Sequence, residues 1–172
     1  METDIAEILK TAGQRSPHAV TEVEDLLDAE GGELNPEQRD AVRNALNFSI
    51  SLMTGGAGSG KTYAVSTIAS VAERLELKIV LAAPTGKAAK RLEEVVGHEA
   101  STIHRLLGFN GNTYSRDALN PIDADILVVD EVSMVDIALA WRLFQAVDRM
   151  RTAVVLVGDH NQLPPVLSLI HI

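Results

Sequence analysis

Short apolar runs alternate along the chain with longer stretches in which apolar residues recur every three or four positions. The runs are typical of strands buried on both faces, and the longer stretches are typical of amphipathic helices. The pattern predicts strands at 48–53, 78–83, 125–130 and 153–158. It predicts helices at 3–12, 21–30, 61–75, 86–96 and 136–148, a short helix near 101–107, and another helix that begins after Asn35. This alternation predicts an α/β fold, with a mainly parallel sheet covered by helices on both faces.

The helix that begins after Asn35 has a start signal in its sequence. Asn35 is a favourable N-cap residue, Pro36 suits the first helical turn, and Gln38 stands where a capping box needs Glu or Gln. Residues 1–33 precede it and are interpreted as a short helical segment, the remnant of a larger N-terminal domain. The polar stretch Gly108–Asp123 is predicted to be a loop or a hairpin.

A glycine-rich loop joins the first predicted strand to the helix at 61–75. Its sequence is G-x-x-x-x-G-K-[ST], in the strand–loop–helix context that a P-loop requires. Glycine lets successive backbone N–H groups turn toward a polyphosphate, and the helix N-terminus adds partial positive charge. Lys61 is placed to reach the β- and γ-phosphates, and the Thr62 hydroxyl to bind Mg²⁺. We therefore expect a nucleoside triphosphate, rather than a chance glycine turn, at Gly55, Gly56, Ala57, Gly58, Ser59, Gly60, Lys61 and Thr62.

Two acidic residues follow the apolar run Ile126–Val129. In P-loop NTPases a carboxylate at this place holds Mg²⁺ together with the P-loop hydroxyl, so Asp130 is assigned to the metal. The adjacent Glu131 is assigned to the attacking water, because a general base must lie near the γ-phosphate. The alternative is that the two acids only mark the end of a strand. Their position after a P-loop, with another strand following, favours the catalytic assignment.

A third polar element follows the last predicted strand, where Gly158-Asp159 leads to Gln162. Ligands of open α/β sheets bind at this edge of the sheet. The Gln162 side chain can hydrogen-bond both a γ-phosphate and a water molecule, so we expect it to respond to hydrolysis. The alternative is an ordinary solvated loop glutamine.

Composition narrows the class of protein. The 172 residues carry a net charge of −9, which argues against a generally basic nucleic-acid-binding protein. Most of the excess acidic residues lie before the P-loop. A DNA-binding surface would therefore be confined to one face and formed by basic residues that follow the P-loop. There is no cysteine, which excludes a disulfide scaffold and a thiolate metal site and fits the reducing cytoplasm. No apolar run reaches the roughly 18–20 residues that cross a bilayer, and we expect no membrane partner.

Several motifs, in order and spacing, resemble the first RecA-like lobe of a superfamily 1 DNA helicase, closest to the RecD-like family of 5′-to-3′ enzymes. The resemblance covers roughly Leu34 to Val166, and Val132 stands where the family more often has alanine. The matching segments are Leu34–Arg39 (Q motif), Gly55–Thr62 (motif I), Ala83–Leu92 (motif Ia), Ser101–Leu107 (a segment that contacts single-stranded DNA), Val129–Asp136 (motif II) and Gly158–Pro164 (motif III). The resemblance implies a RecA-like three-layer P-loop NTPase fold over residues 34–166.

The resemblance also implies roles for individual residues. Gln38 would read the adenine, and Lys61, Glu131 and Gln162 would carry catalysis. Backbone N–H groups at the start of the helix after 78–83 could bind a DNA phosphate, and lysines there would attract the DNA backbone without sequence preference. The alternative is that Thr85 and Gly86 cap that helix and the lysines form its solvated face. The residues assigned to DNA are Pro84, Thr85, Gly86, Lys87, Thr102 and His104.

The function implied is an ATP-dependent 5′-to-3′ DNA helicase of recombination and repair, which couples ATP–Mg²⁺ hydrolysis to movement on single-stranded DNA. Recombination or nuclease subunits are its implied partners. The helicase segment of a conjugative relaxase and a non-catalytic ATP- or DNA-binding fragment stay open as alternatives. A second lobe normally supplies an arginine to the site. Since the chain stops after motif III, we expect a truncated first motor lobe that is poorly active alone, with 167–172 a non-native tail matching a sequencing adapter.

Overall fold

A parallel β-sheet forms the centre of the fold in the computed structural model, which describes residues 5, 7, 14–19, 23–30, 32–56 and 58–159. In this described part the sheet has five strands, in the order β1-β5-β4-β2-β3, and every neighbouring pair is parallel. The strands are β1 (Ile50–Thr54), β2 (Ile79–Ala83), β3 (Ala100–Thr102), β4 (Ile126–Val129) and β5 (Ala153–Gly158). The predicted α/β fold with a mainly parallel sheet is confirmed.

Helices cover both faces of this sheet. They are α1 (Val23–Glu30), α2 (Pro36–Asn47), α3 (Lys61–Arg74), α4 (Gly86–Val96), α5 (Ile103–Leu106) and α6 (Ile137–Gln145), with a 3₁₀ turn at Val132–Met134. Strand side chains alternate between the two faces, as the period of a strand requires. Val128 packs with the face covered by α1, α2 and α3, whereas Leu127 packs with the face covered by α5 and α6. The chain is therefore layered as helix, sheet and helix.

The prediction missed the edge strand β3. Residues 101–107 were predicted to be a short helix, but Ala100–Thr102 extend the sheet and only Ile103–Leu106 are helical. A three-residue strand of small and polar residues has no apolar run to identify it, and β3 forms because β2 offers it an open edge. The last predicted helix also ends at Gln145 rather than at residue 148.

The remaining predictions concern the stretch Gly108–Asp123 and the two ends of the chain. The stretch Gly108–Asp123 is a loop, with one antiparallel bridge between Asp117 and Asn120. The predicted helix at 3–12 lies outside the described residues except for Ile5 and Glu7, and the tail at 167–172 lies outside them entirely. No helix in the described part of the chain has the length and apolar character to cross a membrane.

Candidate nucleotide site

The loops that carry the predicted nucleotide-binding residues meet at the carboxyl edge of the sheet. Because β1, β5 and β4 are parallel neighbours, the loops that follow them lie side by side. They border a pocket with a volume of about 440 Å³. Predicted site residues that line it include Lys61, Thr62, Asp130 and Glu131, so chain segments some seventy residues apart contribute to one site.

A second cavity, of about 470 Å³, opens at the opposite edge of the sheet beside Ile50 and Val154. It contains none of the predicted site residues and no glycine loop. Ligands of open parallel sheets bind outside the carboxyl ends of the strands, whereas this cavity lies at the amino ends. We therefore place the candidate site in the pocket at the carboxyl edge.

The backbone of the P-loop requires glycine at two positions. Gly58 and Gly60 have φ values of 77° and 78°, in the left-handed region that other residues rarely adopt. Gly60 is also the N-cap of α3, and a side chain there would collide with the amide of Gln38. The glycines predicted from the motif therefore have a conformational reason. Ala57, the third residue of the loop, lies outside the described residues.

The Lys61 side chain is bound by the backbone of the P-loop. Its ammonium group donates hydrogen bonds to the backbone oxygens of Gly55, at 2.5 Å, and Gly56, at 2.8 Å. Lys61 is the first residue of α3, so its charge adds to the partial positive charge of the helix N-terminus. The side chain is half-buried and borders the pocket, where a phosphate oxygen could replace the carbonyl oxygens as its acceptor.

Asp130 is a carboxylate in an environment that disfavours its charge. Burial raises its pKa above the usual range, while the Glu131 backbone N–H, 2.8 Å away, and the charges of Lys61 and Arg91 act in the opposite direction. A cation beside such a carboxylate would offset the cost of burial. Hydroxyl and carboxylate oxygens, as on Thr62 and Asp130, are the ligands Mg²⁺ prefers.

The metal would depend on ligands from outside the protein. In the described part of the chain no group of three or more His, Asp or Glu side chains is placed to hold a metal ion. Mg²⁺ in phosphate sites usually takes one or two protein ligands and completes its shell with phosphate and water. The residues present therefore fit Mg²⁺ bound together with a nucleotide.

Glu131 adopts a strained backbone conformation. Its φ of 50° and ψ of 40° place it in the left-handed region, which costs a residue with a side chain about 1–3 kcal/mol. The 3₁₀ turn that follows holds it there through a 3.0 Å hydrogen bond from the Met134 N–H to the Glu131 carbonyl. Strain of this kind clusters at functional sites, and the half-buried Glu131 lines the same pocket as Asp130.

Gln38 joins α2 to the P-loop. The predicted capping box is confirmed, because the Asn35 N–H donates to Gln38 Oε1 and the Gln38 N–H donates to Asn35 Oδ1, each at 2.9 Å. The other end of the same side chain, Nε2, donates to the Ser59 carbonyl at 3.0 Å. Gln38 therefore lies against the P-loop, but on a neighbouring small cavity rather than in the main pocket. Its predicted contact with adenine stays a prediction.

The residues assigned to DNA follow β2 and β3. Pro84 to Lys87 lie after β2, and Thr102 ends β3 in register with Ala83. Two of them cap helices: Thr85 Oγ1 accepts from the Ala88 N–H, and Thr102 Oγ1 accepts from the Arg105 N–H, each at 3.2 Å. Capping, the alternative interpretation of Thr85, is thus present in the structure. Thr85, Gly86 and Lys87 remain exposed, and their contact with DNA stays a prediction.

His104 belongs to a small ring cluster that the sequence did not suggest. Its ring centre lies 5.6 Å from that of Phe109 and 6.2 Å from that of Tyr114. The Arg142 guanidinium lies 5.7 Å from the Tyr114 ring centre and 5.0 Å from that of Trp141. These residues come from three separate segments, so no spacing in the sequence connects them.

The structure adds one basic residue to the pocket and does not describe the predicted residue Gln162. Arg91 lines the pocket together with Ala88 and Leu92, the other residues of α4 that face it. Ala88 lies three residues before Arg91 and four before Leu92, the spacing that puts residues on one face of a helix. The same spacing is found on any helix that packs against a core, so the sequence alone did not identify this face as part of the site. Gln162 lies outside the described residues.

A parallel sheet with a glycine loop before α3 and an acidic pair after β4 defines a P-loop NTPase with a RecA-like α/β fold. A family model described as AAA domain matches residues 38–168, and the chain belongs to that family. The fold is similar to that of T4 UvsW, with a TM-score of 0.65 and 10% identity, over 90% of this chain and 38% of that one.

Two curated relatives support the resemblance to RecD-like helicases. The chain is 45% identical over 133 residues to the ATP-dependent RecD2 DNA helicase of Deinococcus radiodurans, covering 77% of this chain and 18% of that protein. It is 40% identical, over an alignment of 186 positions, to the RecBCD enzyme subunit RecD of Mycolicibacterium smegmatis, covering 93% of this chain and 33% of that protein. The resemblance to RecD-like proteins is confirmed, and the chain spans about a third or less of these relatives.

Proposed function

We propose that the protein is the nucleotide-binding lobe, over residues 34–166, of an ATP-dependent 5′-to-3′ DNA helicase of the RecD type. The observation that carries the proposal is the convergence of Lys61, Thr62, Asp130 and Glu131 on one pocket at the carboxyl edge. These are the groups that phosphoryl transfer from ATP requires. The similarity to a protein named as an ATP-dependent DNA helicase supports the same activity.

Each side chain has a defined part in the proposed reaction. The Lys61 ammonium would exchange its bonds with the loop carbonyls for bonds with β- and γ-phosphate oxygens. Thr62 and Asp130 would hold Mg²⁺, which neutralises charge that develops on the phosphates. The Glu131 carboxylate would orient the attacking water and accept its proton. Gln162 would hydrogen-bond the γ-phosphate and so distinguish the states before and after hydrolysis.

Helix α4 supplies a connection between the nucleotide and DNA. Its N-cap Thr85 and its first residues, Gly86 and Lys87, are exposed where a DNA backbone could bind. The next residue, Ala88, and Leu92 one turn after it form part of the wall of the nucleotide pocket. Because a helix moves as a rigid element, a change in the pocket on hydrolysis would reach the DNA-contacting end directly.

We further propose single-stranded DNA as the track and recombination or nuclease subunits as partners. A relative is itself named as a subunit of the RecBCD enzyme, which supports an assembly of this kind. The reducing compartment expected for a chain without cysteine would be the cytoplasm.

The proposal is tested by nucleotide binding to the purified 172-residue chain. A fluorescent ATP analogue should bind in the presence of Mg²⁺, and Lys61→Ala should weaken binding at least about tenfold because a charge-assisted contact is lost. Lys90→Ala is the matched control, since Lys90 is exposed on α4 and pairs with Glu94 at 3.8 Å, outside the pocket. Absence of binding at millimolar nucleotide, or equal binding by Lys61→Ala, would overturn the proposal.

A further inference from the structure

Arg91 is a basic residue that borders the nucleotide pocket and forms no salt bridge with a described residue. Within the described part of the chain its guanidinium makes no ion pair or side-chain hydrogen bond, whereas the adjacent Lys90 pairs with Glu94. Arg39, Arg43, Arg74 and Arg151 all pair with carboxylates. An unpaired guanidinium at the wall of a pocket is therefore available to a ligand.

The charges in the pocket show what kind of ligand this would be. Among the described residues that line it, Asp130, Glu131 and Asp159 are acidic, and only Lys61 and Arg91 are basic. Lys61 and a Mg²⁺ ion held by Thr62 and Asp130 would offset part of the repulsion between these carboxylates and a triphosphate. Arg91 supplies the second cation that the protein itself can bring to a multiply charged anion.

The position of Arg91 selects one phosphate. Arg91 lines the same pocket as Lys61 and Asp130, so both cations border the space beside this carboxylate. In a P-loop site the terminal phosphate lies between the loop lysine and the metal-binding carboxylate. Arg91 borders that region from α4, whereas Gln38 borders the small neighbouring cavity.

We propose that Arg91 binds the γ-phosphate of the bound nucleotide and makes the site prefer a triphosphate to a diphosphate. The planar guanidinium can donate two parallel hydrogen bonds to phosphate oxygens, a geometry that a lysine cannot reproduce. Because ADP lacks the γ-phosphate, this contact is lost when the phosphate leaves. The proposal rests on the proposed function, since it requires a nucleotide in this pocket.

The test compares two nucleotides rather than activity. Dissociation constants for adenosine 5′-(β,γ-imido)triphosphate and for ADP, both with Mg²⁺, are measured by calorimetry on the 172-residue chain and its variants. Arg91→Ala should weaken triphosphate binding about 10- to 100-fold, the range for a lost charge-assisted contact, and change ADP binding by less than about threefold. Arg91→Lys should keep the charge but recover only part of the preference.

The outcomes separate the two proposals. If the chain binds both nucleotides, loses both with Lys61→Ala, and keeps its preference with Arg91→Ala, the Arg91 proposal is wrong while the proposed function stands. An equal loss for both nucleotides would instead make Arg91 a general positioning residue and also overturn the proposal. If the unmodified chain binds neither nucleotide, both proposals fail. Arg91→Gln, which keeps a polar side chain but removes the charge, replaces Arg91→Ala if circular dichroism shows that the alanine variant is unfolded.

Discussion

The side-chain amide of Gln38 donates a 3.0 Å hydrogen bond to the backbone carbonyl of Ser59, which fastens the start of α2 to the phosphate-binding loop. The same side chain accepts a hydrogen bond from Asn35 and so caps its own helix. One residue thus serves a local role, which the sequence pattern indicates, and a contact over twenty-one positions, which it does not. The two roles use opposite ends of the amide and can be separated by substitution.

Gln38→Glu should weaken ATP binding several-fold while leaving the free energy of unfolding nearly unchanged. The glutamate keeps an oxygen for the Asn35 N–H, but it presents an oxygen instead of an N–H group to Ser59. Gln38→Met removes both contacts and should also cost about 1 kcal/mol of stability, the usual effect of a lost cap. Urea denaturation and nucleotide titration of both variants provide the comparison. Equal stability loss in the two variants would show that the cap and the loop contact are not separable.

Glu131→Asn should stabilise the fold by about 0.5–1 kcal/mol, because asparagine tolerates the left-handed conformation better than glutamate does. The native residue holds this conformation at a φ of 50°. Glu131→Gln is the matched control, since it removes the charge but keeps the backbone strain. Urea denaturation measures both. If the glutamine variant gains as much stability as the asparagine variant, loss of charge rather than relief of strain is the cause.

Much of this site follows from local sequence signals. The P-loop at Gly55–Thr62 and the capping box at Asn35 depend on neighbouring residues and on backbone geometry, and both lie where the sequence predicts. The long apolar runs likewise identify β4 and β5. The loops that follow β1, β5 and β4 meet because these strands are neighbours in the sheet. This strand order belongs to the whole sheet and cannot be predicted from any one segment.

The features that the sequence did not reveal depend on contacts between distant segments. β3 is defined by the free edge of β2, and its own Ala-Ser-Thr sequence has little strand signal. Arg91 becomes a candidate ligand only when α4 is placed against the pocket, and the His104 cluster only when three segments meet. Tertiary context decides each of these cases.

Asp125 should make the stability of the fold depend on pH. Its carboxylate accepts hydrogen bonds from the Lys78 backbone N–H, at 2.8 Å, and the Arg151 guanidinium, at 3.1 Å, which connects the amino ends of β2, β4 and β5. The Lys78 N–H is the main cause that lowers the pKa of Asp125, and the Arg151 charge adds to it, against the effect of burial. A lowered pKa in the folded state means that this stabilisation is present above the ordinary pKa of 3.8 and is lost as the pH falls through the folded value.

Asp125→Asn should therefore lower the free energy of unfolding by about 1–3 kcal/mol at pH 7, and the difference from the unmodified chain should shrink below pH 4. Urea denaturation across this range gives the measurement. Glu99→Gln is the control, because Glu99 is exposed and makes no side-chain hydrogen bond to a described residue. A difference that stays constant from pH 7 to pH 3 would mean that the charge of Asp125 contributes nothing.

Lys87→Ala should weaken the binding of single-stranded DNA and reduce its salt dependence. The logarithm of the DNA association constant falls as the logarithm of the salt concentration rises. If Lys87 neutralises one phosphate, its loss makes this slope less negative by about 0.7, the value per phosphate for a single strand. Fluorescence anisotropy with a labelled oligo-dT at several salt concentrations measures the slope. Lys78→Ala is the control, since Lys78 lies at the opposite edge of the sheet and pairs with Asp123 at 2.6 Å. Both variants remove one lysine, so equal losses would indicate only a general effect of net charge.

Thr85 needs a different comparison, because its hydroxyl already caps α4 by accepting from the Ala88 N–H. Thr85→Ser keeps both the cap and a hydroxyl for a phosphate, so DNA affinity and stability should stay close to those of the unmodified chain. Thr85→Val preserves the shape but removes the hydroxyl, and it should cost about 1 kcal/mol of stability together with several-fold DNA affinity. Nucleotide binding serves as the internal control, since Thr85 does not line the pocket. A stability loss without a change in DNA affinity would leave Thr85 as a helix cap alone and move the DNA contact elsewhere on the carboxyl edge.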